Sequence, residues 1–505
     1  MVQEIFLPNG MEAIQASYTE YPLDEFNQNP FIQALPPLAD KSTIIKKLAM
    51  NPSFDEQERQ MESVYRLQMI SRLYQFFQPL PIHLEIWDMI NNLLIQGYLA
   101  RNPFDPAYKR YLHETGKQII NRIFDINSRQ NFRTTAGCGT LIGLSGMGKT
   151  TSVGRVLSNI PQVVIHNEYR GQHFNQIQLV WIKLDAPSTS SLKALCLQFF
   201  MRVDELLGTN NYKKYVSRNA SVDMMLPLIG QLAQNIGLGL LIIDETQNIK
   251  GRGADQIMNF FVNLINSGVN LAIIGTPGAY GLFGDELRIA RRLTGNSEII
   301  FNNMDYDNEF KFLLESIWRY QWIKKPAKLT EEFSKVIYDE TQGISDLIVK
   351  IFVYSQQKAI STGKEELTVE LMRNVANEKF KLMREMLNAI RSGNPYKIAK
   401  YEDIRRIESA TIQSANEHPR KPLKAKNNEK SQNNDTKVVP TMPEVKKAKR
   451  NTEYAEGDLR LLLKNGVKQG KTPYEVLLEH SSIDDMVQWN VGVCISQVKI
   501  EPFIN

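Results

Sequence analysis

The sequence predicts an α/β fold, a parallel β-sheet flanked by helices, with helical regions before and after it. Three observations predict it. Five short apolar runs, 139–143, 179–184, 240–244, 271–275 and 298–301, alternate with longer stretches of helical period, and strands separated by helices pair in parallel. The first run leads into a glycine-rich turn and then a helical stretch, Thr151 to Leu157. The third ends in two acids, Asp244 and Glu245.

Composition narrows the class. With 505 residues the chain has room for about three domains. Its 42% hydrophobic and 23% charged residues are ordinary globular usage, which excludes wholesale disorder, collagen-like repeats and coiled-coil rods. No apolar run approaches the ~18 residues of a membrane span, and Glu4 interrupts the basic-then-apolar pattern of a leader. A soluble, cytoplasmic protein without a membrane partner is expected. Cys138, Cys196 and Cys494 form no C-x-x-C pair, so neither a disulfide framework nor a zinc site is supported. The net charge of +5 is unevenly placed: residues 418–450 hold ten Lys or Arg against three acids, +7, and the rest sums to −2.

The elements follow in order. Residues 1–125 read as an extended peptide plus a helical region. Asn29-Pro-Phe-Ile-Gln-Ala-Leu-Pro-Pro-Leu38 is expected to be extended, with Phe31, Ile32 and Leu35 as anchors, because Pro36 and Pro37 oppose a helix. Val64, Leu67, Ile70 and Leu73, then Ile90, Leu93 and Leu94, then Ile119, Ile120 and Ile123 recur at helical spacing. Residues 126–304 hold the sheet. Residues 305–405 return to helical period, with Phe310, Leu313, Leu314, Ile317 and Trp318 on one face and Leu347, Ile348, Ile351 and Phe352 on another. Residues 406–453 read as a disordered basic linker, poor in apolar anchors. Residues 454–505, with Leu459, Leu461, Leu462, Tyr474 and Trp489, read as a partner-docking tail.

The chemistry is concentrated at strand ends. Gly143-Leu-Ser145-Gly146-Met147-Gly148-Lys149-Thr150, followed by Thr151, matches G-x-x-x-x-G-K-S/T between a strand and a helix. Glycines let the backbone N–H groups and the helix start face phosphate, Lys149 reaches the β and γ phosphates, and Thr150 offers a hydroxyl to Mg2+. Asp244, at the end of a buried strand, can hold the Mg2+ shell, and Glu245 can polarise water. No guanine-reading Asn/Thr-Lys-x-Asp follows Asp244, and Ile182-Lys-Leu-Asp185 precedes it with the wrong first residue, so adenine is the better base. Thr276, ending the next strand, can orient water or touch the γ phosphate, or simply cap a turn. Arg288, Arg291 and Arg292 fit solvated surface arginines, or in an oligomer a residue acting in trans on a neighbour's nucleotide.

The order of these elements resembles the AAA+ ATPases, P-loop NTPases with a helical lid. More narrowly, residues 29 to 405 resemble TnsC, the ATPase regulator of selector-targeted cut-and-paste transposons. The resemblance rests on 29–38, Ser191-Leu-Lys-Ala-Leu-Cys-Leu-Gln-Phe-Phe200, Leu240-Leu-Ile-Ile-Asp-Glu245 with Gln247, Ile274-Gly-Thr-Pro277 and Leu287-Arg-Ile-Ala-Arg-Arg292. Gln342-Gly-Ile-Ser-Asp-Leu-Ile-Val-Lys350 and Arg391-Ser-Gly-Asn-Pro395 extend it through the lid. It implies ATP and Mg2+ as cofactors, a ring or filament of identical subunits on duplex DNA, and a link between a target-selector protein of the TnsD or TniQ kind and TnsA- and TnsB-like transposase subunits. Hydrolysis would then reset the assembly. It implies that Thr276 is the sensor and that one of Arg288, Arg291 and Arg292 acts in trans. One departure is that Gly343-Ile-Ser-Asp346 carries no arginine before Lys350, where many AAA+ lids have one.

DNA contacts fall on Lys213, Lys214 and Arg218, interleaved with Tyr212 and Tyr215. Such a cluster suits sequence-tolerant phosphate contacts, and it also suits a solvated helix face with packing aromatics. Two further functions fit the same motifs: a signalling NTPase that binds no DNA, and a replication loader.

Overall fold

The computed structural model describes residues 4–120, 134–216, 221–280, 282 and 297–401. The expected linker 406–453, the tail 454–505, Ile123, Arg218, Arg288, Arg291 and Arg292 lie outside them. The described residues all fall in the first of two units, Met1–Arg420.

The centre is a five-stranded parallel sheet. Its strands are β3 (Cys138–Gly143), β6 (Trp181–Asp185), β7 (Leu240–Asp244), β8 (Asn270–Gly275) and β9 (Ser297–Phe301), in the order β6-β7-β8-β3-β9. Every residue of β3, β7 and β8 is buried, which is why these strands read as unbroken apolar runs. Side chains alternate between two cores. Leu141, Leu240, Ile242 and Ile274 face one, with Met89, Ile90 and Leu93 of the helix Pro81–Leu99. Ile142, Leu241, Ile243 and Ile273 face the other, with Phe199, Phe200 and Phe261 of the helices Leu192–Leu207 and Ala254–Asn266. Helices on both faces are what a parallel sheet requires.

A second sheet was not expected from the sequence. It has four strands, β1 (Glu4–Phe6), β2 (Glu12–Gln15), β4 (Val163–Tyr169) and β5 (Gln172–Leu179), in the order β1-β2-β4-β5, with β2 and β4 parallel and the other pairs antiparallel. The hairpin β4–β5 turns at Arg170 and Gly171, both at positive φ, 51° and 75°, which suits the twist of a tight hairpin. The apolar run 179–184 therefore divides: Leu179 ends β5 and the parallel strand begins at Trp181. The strands β1 and β2 fall within the amino-terminal stretch that precedes the helical region.

The segment expected to be extended also differs. Pro30–Gln33 forms one helical turn, because Pro30 takes the first helical position and the Asn29 carboxamide oxygen accepts the Phe31 N–H at 3.0 Å. Phe31, Ile32 and Leu35 are buried. Buried side chains fasten the turn: Gln178 donates to the Phe31 carbonyl at 2.9 Å and Asn29 to the Tyr98 carbonyl at 2.6 Å. Val64 departs from its expected face, being exposed where Ile70 and Leu73 are buried, because six residues of helix set it about 120° round from Ile70.

After β9 come the helices Asn308–Trp318, Glu331–Thr341, Ser345–Ser361, Val369–Lys379 and Arg384–Arg391. Both apolar faces read from the sequence are buried in this region. Chain upstream of the sheet is fixed to it. Arg66, 2% exposed, makes a two-pronged ion pair with Glu365, both contacts 2.7 Å, and donates to the Trp322 carbonyl at 3.0 Å. Glu58 accepts from the Trp322 indole at 2.8 Å, and Arg59 donates to the Gln321 carbonyl at 2.9 Å. Among the described residues no helix is long and apolar enough to cross a membrane.

Candidate functional site

A cavity of about 1090 Å³ opens beyond the carboxyl ends of β3, β7 and β8, the crevice where open α/β sheets take ligands. Chain leaving β3 at Gly143 curls through Gly146 and Gly148, with φ of 83° and 88°, and enters the helix Lys149–Leu157. Only glycine adopts those angles freely. Ser145, Gly146, Met147, Gly148, Lys149, Thr150 and Thr151 all line the cavity. Met147 is 2% exposed, so its side chain is committed to the core. The helix start turns its unsatisfied N–H groups and dipole on the opening, a place for an anion. Lys149, 9% exposed, donates to the carbonyls of Gly143 and Leu144 at 2.8 and 2.9 Å.

Asp244 stands opposite the loop. Its Oδ2 accepts the Thr150 hydroxyl at 2.9 Å and lies 2.8 Å from Lys183 Nζ, while its Oδ1 accepts the Glu245 N–H at 2.8 Å. Oxygen donors of this kind fit Mg2+, which takes one or two protein oxygens and completes its shell with water and phosphate. Glu245 follows with φ 57°, a left-handed backbone uncommon for a residue with a side chain. It is exposed to the cavity. The Gln247 carboxamide bridges two parts of the site: its Nε2 donates to the Glu245 carboxylate, and its Oε1 accepts the Thr276 N–H at 3.0 Å. Thr276, 6% exposed, lines the same cavity.

The fold therefore brings Gly143, the phosphate loop, Asp244, Glu245 and Thr276 together. Lys213 and Lys214 lie elsewhere, on the exposed turn Asn211–Tyr215, whose start is held by Asp204 accepting the N–H groups of Asn211 and Tyr212 at 2.6 and 2.7 Å. Tyr215 packs against Phe200, with ring centres 6.1 Å apart, and Lys214 lies over the Tyr215 ring at 5.0 Å.

Several cavity residues escaped the sequence reading. Leu73, Tyr74, Phe76, Phe77, Leu80 and Leu313 form an apolar end, suited to a planar base. Burial and nearby Tyr354 push the Tyr74 hydroxyl up to about 12, so it stays protonated. Burial holds His83 down to about 4, and its Nδ1 accepts the Leu80 N–H at 2.8 Å. On the third side the Asp346 N–H donates to the Gly146 carbonyl at 3.1 Å, and Lys350 pairs with the Asp346 carboxylate at 2.6 Å. The sequence named Leu73 and Leu313 only as helical-period residues, and Asp346 and Lys350 only within the resemblance over 342–350.

Residues 132–283 match the family model described as an AAA domain, and the parallel sheet with flanking helices is the AAA+ P-loop fold. Among curated proteins none matches the chain. Solved structures similar to it include the ORC1 protein of Aeropyrum pernix in complex with DNA, at 14% identity over 59% of this chain and 71% of that one, TM-score 0.35. The ORC2 protein of Aeropyrum pernix has 14% identity over 55% and 69%, TM-score 0.34. Domain III of the Thermotoga maritima replication initiation protein DnaA has 14% identity over 56% and 95%, TM-score 0.30.

Proposed function

We propose that this chain is an ATP-dependent regulator of DNA transposition, which oligomerises on duplex target DNA and connects a target-selector protein to a transposase. The nucleotide part rests on one observation: the phosphate loop, Asp244, Glu245 and Thr276 line a single cavity with an apolar end. The transposition part rests on the resemblance of residues 29–405 to TnsC.

The chain's own groups define the chemistry. Phosphate oxygens replace the carbonyls of Gly143 and Leu144 as partners of Lys149. Mg2+ held by Thr150 and Asp244 would offset charge on the departing phosphate. Glu245, once released by Gln247, accepts a proton from the attacking water, and Thr276 holds that water in line. One of Arg288, Arg291 and Arg292 reaches a neighbour's site across the oligomer. Lys213, Lys214 and Arg218 hold DNA phosphates.

Negative-stain microscopy of the protein with ATP and duplex DNA tests the reading. Rings or filaments requiring both are expected. Monomers under those conditions would remove the transposition reading and leave a signalling NTPase or a replication loader. If Lys213 and Lys214 touch phosphate, their joint replacement by alanine flattens the dependence of log affinity on log salt by about 2.

A further inference from the structure

Lys183 touches the site through Asp244, and the nucleotide reading leaves it unused. Trp181, Lys183 and Asp185 alternate along β6 with the buried Ile182 and Leu184, so Lys183 shares a face with Asp185. The parallel register sets Lys183 beside Ile242 and Asp185 beside Asp244. This places the Lys183 ammonium 2.8 Å from Asp244 Oδ2 and 3.9 Å from Asp185 Oδ1. The Asp244 side chain is 4% exposed, that of Lys183 28% and that of Asp185 70%.

The oxygen that Lys183 contacts is also the one that accepts the Thr150 hydroxyl, at 2.9 Å. Thr150 and Asp244 are the two groups that fit Mg2+. A buried carboxylate without a counter-charge is costly, so the metal-free site needs a cation, and Lys183 supplies it. That cation and Mg2+ then draw on the same negative charge.

We propose that Lys183 is an internal cation that competes with Mg2+ for Asp244 and so sets the Mg2+ concentration at which nucleotide is captured. This rests on the nucleotide reading above and deepens it. Two effects follow. Without metal, Lys183 cancels the Asp244 charge that would repel a triphosphate. With metal, Lys183 turns toward Asp185, and this alternative partner limits the cost of the exchange.

The test is equilibrium binding of a fluorescent ATP analogue to the full chain, first in EDTA and then titrated with Mg2+. Lys183→Met is expected to weaken binding in EDTA and to lower the half-saturating Mg2+ concentration, each by roughly three- to ten-fold, as loss of one partly screened charge pair implies. Affinity at saturating Mg2+ should stay within about two-fold, since the charges that hold phosphate are intact. Asp185→Asn, which removes the second partner, should raise the half-saturating Mg2+ concentration. Lys183→Gln keeps the size and a hydrogen bond without the charge and should follow Lys183→Met. Thermal melts show which variants are folded, and Lys183→Gln carries the test if Lys183→Met is not. A Mg2+ midpoint unchanged or raised in Lys183→Gln would overturn the proposal. Failure of the unaltered protein to bind the analogue under any condition would instead overturn the nucleotide reading beneath it.

Discussion

The backbone N–H of Asp346 donates to the carbonyl of Gly146 across 3.1 Å, so the helix Ser345–Ser361 begins on the phosphate loop itself. The turn before it depends on Gly343, at φ 70°, where an added Cβ would lie 2.0 Å from the Met304 carbonyl oxygen. Gly343→Ala is therefore expected to cost about 1–3 kcal/mol of stability, with a parallel loss of nucleotide affinity. Thermal melts with and without nucleotide check both, and an unchanged melting temperature would contradict the packing argument.

Lys149 and Glu245 should separate binding from turnover. Lys149→Ala removes the cation at the loop and should weaken ATP binding at least about ten-fold. Glu245→Gln keeps the shape and loses the base, so binding persists while hydrolysis falls by about 10²- to 10⁴-fold. Calorimetry and phosphate release measure the two. Normal turnover by Glu245→Gln would refute the assigned role.

The Arg66–Glu365 pair gives a prediction about acid. The Arg66 guanidinium holds the Glu365 carboxyl below the usual glutamate range. A carboxyl depressed in the folded state adds stability above its unfolded pKa and loses it as pH falls through the folded one. Stability should thus drop below the ordinary glutamate range, and Glu365→Gln should flatten that limb. Removing the cation leaves a charge in a largely buried place, so Arg66→Ala should cost about 3–5 kcal/mol. Denaturant titrations across pH read both effects.

His83 acts earlier on the pH scale. Burial lowers it from 6.5 to about 4, and its Nδ1 must be unprotonated to accept the Leu80 N–H. The unfolded chain then binds more protons than the folded one between those values, so stability falls as pH drops across that window. His83→Gln should reduce the slope there. An identical slope in the variant would show that other groups set it.

How much of this was legible follows from where the information lies. The strands β3, β7 and β8 are buried on both faces and announce themselves as apolar runs. By contrast, β5, Gln172–Leu179, mixes polar and partly buried residues, and its turn uses Arg170-Gly171 in place of the stronger Asn-Gly signal, so no local pattern marks it. The phosphate loop and the Asp244-Glu245 pair are contiguous in the chain and could be read directly. Lys183 and Tyr74 join the site only through strand register and the approach of helices from distant segments, as do the contacts of Gln247 with Thr276 and of Asp346 with Gly146. A linear reading has no term for such contacts. Pro30 misled for a related reason: proline opposes a helix interior but favours a helix start.

Arg155, on the helix that leaves the phosphate loop, donates to the Leu48 carbonyl at 3.0 Å, and from there the chain runs to Glu58, Arg59 and Arg66, bound to residues 321, 322 and 365. The helices after β9 are thus tied to the sheet by the covalent link near residue 303, by the Asp346–Gly146 contact and by this upstream strap. A body tied at three separated points cannot swing freely about any one of them, so any shift of these helices against the sheet must also load residues 48–66.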